Sequence, residues 1–224
     1  PTIKSPEWRE ALTVYQDLAT YSPSNTNLNG FTENLALFAN GHCGIWIDAT
    51  VAAGVLFNPK QSTVAESLGF APAPVGVMPK GSPWLWTWAL AIPASSKVPD
   101  EALKFITWAT SKTYIERVAQ QEGWVAVPPG TRKSTYLNLH YQAAAPFADF
   151  VLTAIQRADP THPTLKPVPY TGIQYVSIPE FPAIGTQVGQ KIVKILTGEM
   201  TVDQVLVECQ RLVSDQMRAS GYIK

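Results

Sequence analysis

The sequence predicts an α/β lobe, dominated by helices, with a sheet that the chain encodes only in part. Three observations lead there. Apolar side chains recur at helical spacing through most of the 224 residues. Short apolar runs suited to strands are few, at residues 43–47, 69–74 and 84–92. Helical stretches lie between and after these runs, the pattern of layered helices and strands rather than of an all-β domain.

Each element has its own local signal. Ser5-Pro6-Glu7 combines an N-cap, a first-turn proline and an acid suited to the positive helix end. Trp8, Ala11, Leu12, Tyr15 and Leu18 follow at helical spacing, so a helix is expected to about Thr20. Residues 21–30, rich in Ser, Asn and Pro, form a loop, and residues 31–40 a second helix stopped by Gly41. Residues 43–47 read as a short buried strand, and Asp48-Ala49-Thr50 turns the chain into a helix reaching Phe57 before Asn58-Pro59 ends it. Residues 69–74 are extended. The run Trp84-Leu85-Trp86-Thr87-Trp88-Ala89-Leu90-Ala91-Ile92 is then expected as a strand that puts Trp84, Trp86 and Trp88 on one face.

Pro99-Asp100-Glu101 opens a helix to about Ser111, and a second helix from there ends at Gly123. Residues 124–131 are expected to be extended, residues 138–158 helical with a kink at Pro146, and the proline-rich residues 159–172 irregular. A helix begins at Pro179-Glu180, buries Ile184, Val188, Ile192 and Ile195, and stops at Gly198. Thr201 and Gln204 then form a capping box for the last helix, to Ser220.

Composition excludes several function classes. Residues that are 46% apolar and only 15% charged belong to a folded chain. Seventeen basic and seventeen acidic side chains cancel, leaving no field for phosphate backbones, so nucleic acid is not an expected partner. No apolar run reaches the length of a membrane-spanning helix. The two cysteines, Cys43 and Cys209, lack metal-ligand spacing and are expected as free thiols, and His42, His140 and His162 share no spacing with an acid, so neither metal nor cofactor is expected. No nucleophile elbow, phosphate loop, zinc-protease or dinucleotide motif occurs. Pro1 is neither an initiator Met nor the start of a signal peptide, so the natural start is expected to lie upstream.

Six segments in order carry a resemblance: Gly30-Phe31-Thr32-Glu33-Asn34-Leu35-Ala36-Leu37-Phe38, Trp46-Ile47-Asp48-Ala49-Thr50-Val51-Ala52-Ala53, Gly69-Phe70-Ala71-Pro72-Ala73-Pro74, Trp84 to Pro93, Glu122 to Arg132, and Ile178-Pro179-Glu180-Phe181. The chain resembles the C-terminal half of the extracellular solute-binding proteins of carbohydrate ABC importers, most closely the subgroup taking sorbitol and mannitol. The resemblance implies a periplasmic-binding-protein-like, type II, two-lobe fold with ligand held between lobes that close by a hinge. In that fold residues 1–77 and 125–224 are parts of the C-terminal lobe. Residues 78–124 cross the hinge and complete the N-terminal lobe, whose main part the family builds from a half not matched here. A periplasmic location, or a lipid-anchored extracellular one, is implied with it, together with permease subunits as partners and either a missing N-terminal half or a second copy of the chain.

Sugar recognition needs flat apolar faces over C–H groups and a few polar groups for hydroxyls, because an unpaired buried hydroxyl is costly. Trp88 is the first candidate platform, on the resemblance to sugar-binding members. Trp84 and Trp86 share its expected face, with core packing an equal reading for both. Asp48, at a strand end before a helix, is expected either to grip two hydroxyls or to cap the helix, with Thr50 and Trp46 as neighbours at the ligand, core packing being the other reading of Trp46. Arg132 is expected to bind ligand or, the favoured reading, to lock the hinge backbone. Glu122 stands where a helix end disfavours an acid, and Tyr170, Gln174 and Tyr175 occupy an irregular stretch of the kind that carries binding groups. A binding protein for a sugar alcohol or sugar, without enzymatic activity, is the function these readings favour. The competing class is a glycosidase pairing Asp48 with Glu122 or Glu180, and a non-binding fragment is the third.

Overall fold

The computed structural model describes residues 1–24, 26–77, 81, 85–128, 130, 132–162, 166–167 and 176–224, with Thr26 described by its backbone alone. Among these residues ten α-helices occur: α1 (Pro6–Ala19), α2 (Phe31–Ala39), α3 (Ala53–Leu56), α4 (Pro99–Ala109), α5 (Lys112–Glu122), α6 (Lys133–Tyr136), α7 (Leu139–Ala144), α8 (Ala148–Arg157), α9 (Phe181–Leu196) and α10 (Val202–Ala219). The predicted caps are in place. Ser5 accepts from the Trp8 amide at the start of α1, and Ser111 from the Tyr114 amide at the start of α5. Thr201 and Gln204 make both bonds of the capping box on α10. Gly41, Gly123 and Gly198, just past α2, α5 and α9, have φ of 77°, 90° and 75°, a region that costs glycine little.

The chain divides into two compact units. The first comprises Pro1–Asn34 and Tyr175–Lys224. In it α1, α9 and α10 enclose Leu12, Ile184, Val188, Ile195, Val205, Leu206, Cys209 and Val213. Ile192 packs against this core half-buried, so the apolar stripe predicted for residues 179–197 is the one α9 buries. The second unit, Leu35–Gln174, has two cores. The larger gathers Val127, Tyr136, Tyr141, Phe147 and Val151 with Ala119 of α5. The smaller joins Ala39, Ala52 and Leu56, with Trp46 packed against it and ring-to-ring with Phe38 at 6.1 Å, as the core reading of Trp46 expects.

Several expectations are corrected. Residues 43–47 form no strand, and residues 85–92, the described part of the tryptophan run, form none either; no residue of the described chain is in a strand. A strand exists only by virtue of a hydrogen-bonded ladder, and neither segment has a paired neighbour among the described residues. The helix expected from Asp48 to Phe57 is a 3-10 turn, Thr50–Ala52, followed by the single turn of α3. Thr50, Val51, Gly54 and Val55 are weak helix formers, and the turn has no side-chain cap. Residues 124–126 form a 3-10 turn rather than extended chain, and α6 arises without a side-chain cap to announce it. The kink predicted at Pro146 is a full break between α7 and α8.

Candidate functional site

Trp86 and Trp88 sit two residues apart in a segment that is neither helix nor strand, with their rings against one another. Their ring centroids are 5.7 Å apart and their planes meet at 54°. Trp88 is 85% exposed and Trp86 46% exposed. The two indoles make an open apolar corner. Trp84, predicted on the same face, lies outside the described residues, as do Tyr170, Gln174 and Tyr175.

The other candidates come from separate segments of the same unit. Asp48 is exposed, and its Oδ1 accepts the amide of Ala49 at 2.6 Å. It does not cap the following turn: Ala49 is the N-cap there and makes no side-chain bond. Thr50 opens that turn, half-buried, with its carbonyl accepting the Ala53 amide. Glu122 is exposed at the last residue of α5.

Arg132 is engaged with backbone. Its Nε and Nη2 donate to the Thr110 carbonyl at 3.2 and 2.5 Å. Thr110 is the C-cap of α4, so the guanidinium satisfies a carbonyl at the negative end of that helix. Nearby, Tyr136 donates its hydroxyl to the Gly130 carbonyl at 2.8 Å, and Gly130 has φ of 52°. Gly130 and Arg132 are thus fastened, one to the core that buries Tyr136 and the other to α4. Burial also pushes the Tyr136 hydroxyl up to about 12, and that of Tyr141 further still.

Among the described residues no group of three His, Cys, Asp or Glu side chains could hold a metal ion. His140 stacks on Trp124 at 5.7 Å, and His162 meets Asp159 in a turn. Both Cys43 and Cys209 are free. A shallow polar groove runs along one face of α5, past Thr113, Glu116, Arg117, Gln120 and Gln121, and includes none of the predicted site residues. What sequence reasoning missed is that α4 keeps no residue buried, and its own residues carry no signal for this, since a wide apolar face predicts burial.

Residues 2–116 match the family described as bacterial extracellular solute-binding protein. The chain belongs to that family. Relatives carry the match of this solute-binding chain further along its length. A mannitol-binding protein of Pseudomonas aeruginosa is 52% identical over 225 residues, covering 100% of this chain and 51% of the relative. A probable amino-acid ABC transporter periplasmic-binding protein of Sinorhizobium fredii is 26% identical over 211 residues, covering 94% of this chain and 43% of its own. Among solved structures, an ABC transporter solute-binding protein from Agrobacterium vitis S4 with bound D-mannitol superposes with a TM-score of 0.95 at 54% identity, over 100% of this chain and 54% of that one. The chain therefore spans about half the length of the relatives it matches. The likeness places it in the periplasmic-binding-protein-like fold class predicted from sequence.

Proposed function

We propose that the chain is part of the solute-capturing component of an ABC importer for a sugar alcohol of the mannitol type, and that it catalyses no reaction. One observation carries this reading: an open Trp86–Trp88 corner in a chain 54% identical, along its whole length, to a solute-binding protein that holds D-mannitol. A hexitol is a flexible carbon chain with a hydroxyl on every carbon. Two tilted indoles cover its C–H edges, and polar groups are needed for the hydroxyls. Asp48 is the first candidate for a bidentate hold on neighbouring hydroxyls, with Thr50 and Glu122 as further polar contacts.

In this proposal residues 1–77 and 125–224 form one lobe and residues 78–124 cross to a second. The ligand lies between the lobes, and the working location is the periplasm or its extracellular equivalent, facing permease subunits. The rest of the second lobe comes from sequence that the relatives carry beyond the matched half, or from a second copy. Arg132 acts on the crossing backbone rather than on the ligand, since both of its bonds end on the Thr110 carbonyl.

The test joins this chain to the unmatched half of the Pseudomonas aeruginosa relative and titrates mannitol, sorbitol, glucose and an oligosaccharide by calorimetry. Saturable heat with the hexitols is expected, without product from the oligosaccharide. Silence across the panel would overturn the binding reading, and released monosaccharide would replace it with the paired-carboxylate hydrolase.

A further inference from the structure

Asparagine followed by glycine is the pair in which a side-chain amide is most open to attack by its own main chain, because glycine has no Cβ to shield its nitrogen. The sequence holds two such pairs, Asn29-Gly30 and Asn40-Gly41, one at each end of α2. Their surroundings differ in chemistry. The Gly30 amide donates to Oε2 of Glu33 at 2.9 Å, so a carboxylate already holds the proton that an attacking nitrogen has to lose. That oxygen lies close over the glycine, 3.2 Å from where a Cβ would stand. Asn29 belongs to neither helix nor strand, and its Nδ2 donates to Oδ1 of Asn34 at 3.2 Å, which anchors the carboxamide by its nitrogen. The Gly41 amide donates instead to the Phe38 carbonyl at 2.9 Å, an acceptor that takes no proton. Asn40 is tied to the last turn of α2, with its main-chain amide and its Nδ2 both on the Ala36 carbonyl.

We propose that Asn29 is a self-modification site, deamidating through a cyclic imide with Glu33 as the base, and that Asn40 is protected from the same reaction. The Glu33 carboxylate takes the Gly30 amide proton, and the nitrogen forms a bond to Cγ of Asn29. The Cγ–Nδ2 bond breaks, and the departing nitrogen recovers the proton and leaves as ammonia. Water then opens the five-membered imide at one carbonyl or the other, giving an aspartyl or an isoaspartyl link at position 29, with no change of oxidation state. Either product puts a second carboxylate near Glu33. The isoaspartyl link also adds a main-chain carbon just ahead of Gly30, whose carbonyl accepts the Asn34 amide in the first turn of α2. Exposure alone predicts the opposite order, since Asn40 is exposed and Asn29 only half-buried. The inference does not depend on which solute the protein binds.

The test incubates the fusion of this chain to the unmatched half of the Pseudomonas aeruginosa relative at neutral pH, folded and in urea, and follows both asparagines by peptide mass spectrometry with an isoaspartyl assay. In urea the two positions are expected to react at similar rates. In the folded protein position 29 is expected to convert while position 40 stays intact. Glu33→Gln keeps an oxygen acceptor for the Gly30 amide but removes the base. It is expected to slow position 29 by about ten-fold in the folded protein and to leave its rate in urea unchanged, with melting of the variant checking that the fold is retained. Position 40 converting as fast as position 29 in the folded protein overturns the inference. So does a folded Glu33→Gln variant that reacts at the original rate or faster, which would make Glu33 a shield.

Discussion

Tyr141 has no exposed surface, and its hydroxyl has no hydrogen-bond partner among the described residues. Leaving a buried hydroxyl unpaired is costly, whereas removing it keeps the ring that packs edge-on against Tyr136 and Phe147. Tyr141→Phe is therefore expected to hold or raise the urea midpoint. Tyr136→Phe, which loses the bond to Gly130, is expected to lower stability by about 1 kcal/mol. Asp159 gives a pH signature of a different kind: the Thr161 hydroxyl, then His162 and backbone amides, lower its carboxyl from 3.8 to about 2. A lowered folded-state value stabilises above the unfolded value and is lost as pH falls through the folded one. The Asp159 turn should therefore stay formed at pH 4 and open only towards pH 2, read from the Thr161 and His162 amide resonances. For single side chains, sequence reveals which types matter but not whom they meet. Nothing in the spacing of Arg132 points to the carbonyl of Thr110, 22 residues away. The Trp86–Trp88 pair is legible because it joins residues only two apart in the chain.

Helix starts and stops are legible for the same reason, since caps act within four residues. Ser5, Ser111 and Thr201 each accept the expected amide. Thr201→Ala removes the hydroxyl that accepts the Gln204 amide while keeping the backbone amide that donates to Gln204 Oε1, and is expected to cost about 1 kcal/mol, measured as a lower thermal midpoint of the unit containing α9 and α10. Gln204→Ala should give part of that loss. Strands are not legible in this way, because a ladder depends on a neighbour remote in sequence, and residues 43–47 and 85–92 have no such neighbour among the described residues. Residues 50–56 depart from the expected helix for a local reason: β-branched side chains and Gly54 leave only a 3-10 turn and one helical turn. The stripe predicted on α9 is the one it buries, whereas the exposure of α4 cannot be anticipated from its own residues, since an amphipathic pattern does not say what lies opposite.

For the whole molecule, zero net charge gives no broad field for an anionic partner, and no helix of the described residues is long and apolar enough to cross a membrane. The ordered motifs, from Gly30-Phe31 to Ile178-Pro179, point to the solute-binding family on their own, and the match over residues 2–116 bears that out. A shared site for Asp48, Trp88 and Glu122 is not legible in the sequence, because segments this far apart in the chain come together only through tertiary folding. The proposed function stands or falls on whether the exposed indole of Trp88 covers bound sugar alcohol, which the mannitol affinity of Trp88→Ala decides in the fusion that carries the relatives' unmatched half. An 85% exposed side chain contributes little to stability, so melting should be unchanged while binding weakens by about 1–3 kcal/mol, roughly 5- to 150-fold. An affinity equal to that of the unsubstituted protein would refute the role of Trp88 as a sugar-alcohol platform.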